Sequence, residues 1–68
     1  MMISDMAKSD SDTIQDAYGA TIEKLFANLF EGYADHHAPA PEADKRFAAG
    51  VKLARQARDN AISIVSAP

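Results

Sequence analysis

The chain reads as all-α: an antiparallel two-helix hairpin that pairs with a second copy to form a four-helix bundle. Apolar residues recur every three or four positions along two long stretches, and a proline-bracketed linker separates the stretches. Each stretch is also apolar around almost half its circumference, more than two helices can hide from each other. The domain organisation that follows is a tail over residues 1–10 and a hairpin over 11–66. The hairpin comprises helix 1 over about 12–35, a linker over 36–41 and helix 2 over about 42–65.

The tail carries Met1, Met2, Ile3, Met6 and Ala7, and Met2, Ile3 and Met6 are spaced to dock as one helical turn. Helix 1 is expected to start near Ser11 or Asp12. Asp12 with Gln15 three residues on resembles a capping box, and Asp10, Asp12 and Asp16 suit the positive end of the helix dipole. Ile14, Tyr18, Ile22, Leu25, Phe26, Leu29, Phe30 and Tyr33 then follow at helical spacing. Asp35-His36-His37-Ala38-Pro39-Ala40-Pro41 ends the helix, because proline lacks the N–H and pushes the preceding residue out of helical geometry. Pro41 suits the first helical position of helix 2, with Glu42 and Asp44 in its first turn. The linker is short, so the helices fold back on each other.

Helix 2 carries a seven-residue repeat of mostly small residues: Ala43, Phe47, Gly50, Ala54, Ala57, Ala61, Ile64. Small residues admit a close neighbour, and helix 1 offers the complementary bulk in Tyr18, Ile22, Leu25 and Leu29, with Gly32 continuing the row. Folding at the linker brings Leu29 near Phe47, Ile22 near Ala54 and Tyr18 near Arg58, so large faces small. A second apolar flank remains: Phe26, Phe30 and Tyr33 on helix 1, and Val51, Ile62 and Val65 with Arg58 among them on helix 2. Those seven residues are the candidate interface. Which of the two seams closes within the chain is left open by the sequence. Arg58 either lays its stem along the core with its head in solvent, or engages Asp16, Glu23 or the Tyr18 ring.

The 68 residues allow one small domain, and a core of that size usually needs a further staple. Without cysteine that staple is not a disulfide or a thiolate metal site, which fits a reducing compartment. A hydrophobic share of 47% is too high for a disordered chain, and a net charge of −3 gives no global attraction to nucleic acid or anionic membrane. No apolar run approaches the roughly 20 residues of a membrane span, and the first residues lack the pattern of a signal peptide. The expectation is a soluble, cytoplasmic protein.

Catalytic machinery is not expected: no cysteine, no Gly-x-Ser-x-Gly turn and no glycine-rich phosphate loop occur, and no cofactor is implied. His36 and His37 are the only hint of a metal site. Glu31, however, precedes His36 by five residues, whereas a helical site wants three or four on one face, and imidazoles at a helix C-terminus also suit the dipole. Helix 2 holds Lys45, Arg46, Lys52, Arg55 and Arg58 against Glu42, Asp44 and Asp59, so Lys45, Lys52 and Arg55 are the candidate nucleic-acid contacts. The expected function is a non-catalytic protein–protein interaction or oligomerisation module: an adaptor, regulator or assembly subunit. Its partner would be itself or another helical protein. A nucleic-acid-binding regulator is the alternative, and a His/carboxylate metal protein comes third.

Overall fold

A computed structural model describes residues 8–67, which form two α-helices: α1, Asp10–His36, and α2, Pro41–Ser66. They pack against each other, and no strand occurs among the described residues.

Helix α1 starts two residues before the expected position, and its capping box is Ser9 with Asp12 rather than Asp12 with Gln15. The Asp12 N–H donates to Ser9 Oγ at 3.1 Å and the Ser9 N–H donates to Asp12 Oδ2 at 3.4 Å. Both pairings have the right spacing. The earlier one prevails because, once a helix is nucleated, each residue added at its end gains a backbone hydrogen bond. Ser9 and Asp10, read as tail, therefore belong to the helix start, and Lys8 reaches forward to an ion pair with Asp16. The docking expected of Met2, Ile3 and Met6 lies outside the described residues.

The C-terminus of α1 closes by two backbone bonds. The His37 N–H donates to the Ala34 carbonyl at 3.3 Å and the Ala38 N–H donates to the Tyr33 carbonyl at 3.1 Å. This 5→2 and 6→1 pairing is the Schellman arrangement. It requires a left-handed residue, and His37 takes that conformation at φ 55°. A side chain there costs about 1–2 kcal/mol that glycine would not. The linker is consequently only residues 37–40. Pro41 opens α2, whose first turn holds Glu42 and Asp44, while Ala40 caps it without a side-chain hydrogen bond.

Four cross-helix approaches set the register: Gly32 to Ala43, Tyr33 to Asp44, Leu25 to Gly50, and Tyr18 to Arg58. The small-residue seam of α2 is thus the one that closes within the chain. Its bulky counterparts on α1, Ile14, Tyr18, Ile22, Leu25 and Leu29, are each half-buried. The seam departs from its seven-residue pattern at the open end, where Ala57 and Ile64 are exposed and Arg58 turns inward. A straight helix drifts by about 20° per heptad, which carries a strict repeat off the contact line.

Only Ala40 and Ala43 are buried among the described residues, both at the loop end. The Cα trace is 8 Å deep along its thinnest axis, the depth of a single helix layer. Every large apolar side chain among the described residues therefore has protein on one side only.

The glycines test this close approach with opposite signs. A Cβ on Gly32 would stand 2.9 Å from the Ala43 Cβ, an atom fixed to backbone, while Gly19 has open space around it. Gly19→Ala should raise stability by about 0.5–1 kcal/mol through helix propensity. Gly32→Ala should lower it by about 1 kcal/mol or more despite the same propensity gain, because the helices must separate. Thermal melts followed by circular dichroism read both signs.

Candidate interaction surface

A pair of helices in one layer has two broad faces and two outer edges. At 3.6 residues per turn, residues on the same side of both seams share a face. Phe26, Phe30 and Tyr33 of α1 fall on one face with Val51, Ile62 and Val65 of α2. Phe26 is 58% and Phe30 63% exposed, and Val65 is also open, whereas Tyr33, Val51 and Ile62 are half-buried. The fold thus brings the expected interface residues to one broad face.

Two of the seven have partners within the chain. The Tyr33 hydroxyl donates to Asp44 Oδ1 across the loop end. The Arg58 guanidinium lies 4.4 Å from the centre of the Tyr18 ring, and its Nε donates to the neighbouring Asp59 carboxylate at 3.0 Å. Of the alternatives for Arg58, the ring contact is the one formed; Asp16 pairs with Lys8 instead, and Asp59 takes the role expected of Asp16 or Glu23. Stacking suits a half-buried guanidinium, since the ring supplies apolar cover and attraction while the head keeps one edge in water.

The opposite face holds Leu53, which the spacing did not single out, at 65% exposure, and Ile64, expected in the seam, at 74%. Leu53 sits between Ala49 and Ala57 in its row, so no row of large apolar residues marks it, and Ile64 has drifted off the contact line at the end of the seam. This face is more polar, with Thr21, Asn28, Asp35 and Arg46 lining its shallow grooves.

Lys45, Lys52 and Arg55 are exposed and share one stripe along the outer edge of α2, turned away from α1. His36 is the exposed last residue of α1 and His37 the left-handed residue after it. No group of three or more His, Cys, Asp or Glu side chains placed to hold a metal occurs among the described residues, because the chain turns at His37 and Glu31 stays behind on another face.

Charge is divided between the helices. Helix α1 carries six carboxylates and one lysine, a net −5; α2 carries five cations and three carboxylates, a net +2. Within the described residues no helix is long and apolar enough to cross a membrane.

These features define a two-helix hairpin with one open aromatic face, one mixed face and a basic outer edge. No family model, curated protein or solved structure matches the chain.

The Tyr33–Asp44 bond has a titration signature. The carboxylate as hydrogen-bond acceptor, helped by partial desolvation, holds the Tyr33 hydroxyl above its usual value of 10.0. A raised folded-state value means the bond contributes fully below pH 10 and is lost as pH rises through the Tyr33 transition. Ultraviolet titration should show Tyr33 ionising at lower pH in Asp44→Asn than in the native chain, and Tyr33→Phe should flatten the fall of melting temperature above pH 10.

Proposed function

We propose that this chain is a small, non-catalytic oligomerisation and protein–protein interaction module whose working surface is the Phe26/Phe30/Tyr33–Val51/Ile62/Val65 face. Its simplest occupant is a second copy, which makes a four-helix bundle. The observation that carries this reading is that two phenylalanines on one face are more than half exposed while nothing larger than alanine is buried among the described residues. Covering a large apolar side chain is worth about 1.5–3 kcal/mol, and a 68-residue chain without disulfides has few other sources of stability. The roles that fit are an adaptor, a regulator or an assembly subunit. The absence of cysteine supports a cytoplasmic setting.

Phe30→Asp and Val51→Asp test it. Phe30 has little to lose in a lone hairpin, so a carboxylate there should leave a monomeric protein nearly as helical as before. If the face is covered by a second copy, both variants should drop from the native oligomer to the monomer mass by light scattering, with large loss of helicity. An unchanged oligomer in both would refute the reading.

Lys45, Lys52 and Arg55 support a second reading, a nucleic-acid-binding regulator, because all three lie exposed along the outer side of α2. It requires salt-dependent retention on RNA or DNA that Lys52→Ala with Arg55→Ala weakens. No retention at low salt removes it.

A further inference from the structure

We infer that the aromatic face takes a second copy in one particular symmetry: the two-fold axis runs along the helices, both linkers lie at the same end, and α1 stacks on the partner's α2. This rests on the reading of that face as a self-association surface and specifies how the two copies meet.

Two hairpins placed face to face have two symmetric ways to pair. A two-fold along the helices puts α1 over the partner's α2 with the linkers together. A two-fold across the helices puts α1 over the partner's α1, and α2 over the partner's α2, with the linkers at opposite ends. Every neighbouring helix is antiparallel in both, so dipoles do not choose between them.

Charge and apolar matching do choose. The linkers-apart pairing lays a −5 helix on a −5 helix and a +2 helix on a +2 helix. Glu23, at the middle of α1, would then meet its own copy. The linkers-together pairing lays −5 on +2, with the cations of α2 confined to its linker half and middle, Lys45 to Arg58. In the observed register Leu25 is level with Gly50 and Tyr18 with Arg58. Glu23 therefore comes level with the region of Arg55 on the facing helix, on the same outer edge.

The apolar residues divide the same way. On α1 they crowd the linker half of the face, as Phe26, Phe30 and Tyr33, while the far half shows Gln15 and Gly19. With linkers together, Phe26 falls beside the partner's Val51, and Phe30 between the partner's Asp44 and the partner's Ala48. With linkers apart, they fall over Gly19 and Gln15, and Ile62 falls near Asp44. The available area suits a second copy: two helices about 40 Å long and 10 Å wide present a face of about 800 Å², close to what each partner of a stable complex contributes.

The chain has no cysteine, so Ala38→Cys, in the exposed linker, places a single nitroxide label on each copy. Pulsed dipolar spectroscopy on the full chain then gives the linker-to-linker distance, with light scattering on the same sample. A dimer with a label separation below about 25 Å is expected, since packed helices lie about 8–10 Å apart. A dimer with a separation of about 40 Å or more, one helix length, overturns this symmetry and leaves the self-association reading standing. A monomer mass without dipolar coupling overturns both.

Discussion

Two helices make a single layer, and a single layer has no interior. In this hairpin a side chain on one helix meets the other helix on one side and solvent on the rest, so alanine is the largest buried residue among those described. The other features follow from that limit. The seam on α2 is built from alanine and glycine because the stability available to a one-layer contact comes from how closely the backbones approach. Gly32 against Ala43 and Leu25 against Gly50 are two such close approaches, and both lie in the linker half.

The linker end concentrates the specific interactions. A Schellman closure on His37, proline at the start of α2, the two buried alanines and the Tyr33–Asp44 hydrogen bond all fall within a dozen residues. Together they decide that the helices fold back and at which register. Away from the linker the heptad drifts, Ile64 faces water, and Arg58 takes a place over Tyr18. Leaving His37 in a left-handed conformation, where glycine would be easier, concentrates backbone strain at this same turn.

The same limit gives the aromatic face its meaning. Phe26 and Phe30 lie beside the seam, on the side where a one-layer structure has nothing to place over them. A second layer relieves that exposure. The opposite charges of α1 and α2 make the face complementary to a rotated copy of itself, which a foreign partner would have to match by separate means. Lys45 and Lys52, on the outer edge of α2, would stay clear of such an assembly, whereas Arg55 borders it.

Much of this was legible along the chain because helical periodicity is a local property. Spacings of three and four residues located both helices, the prolines located the turn, and matching large residues on one helix to small ones on the other placed Tyr18 opposite Arg58. Helix starts were less legible, since Ser9–Asp12 and Asp12–Gln15 both satisfy the capping pattern and backbone hydrogen bonding decides between them. Leu53 could not be read, because an isolated leucine belongs to no row until the neighbouring helix is in place. The sequence by itself determined the two amphipathic helices, their antiparallel return and the surplus of apolar surface. Only the tertiary structure decided which seam closes within the chain and which is left open. Both seams have the right period, and the choice depends on how near two backbones can come, a distance that no single helix contains.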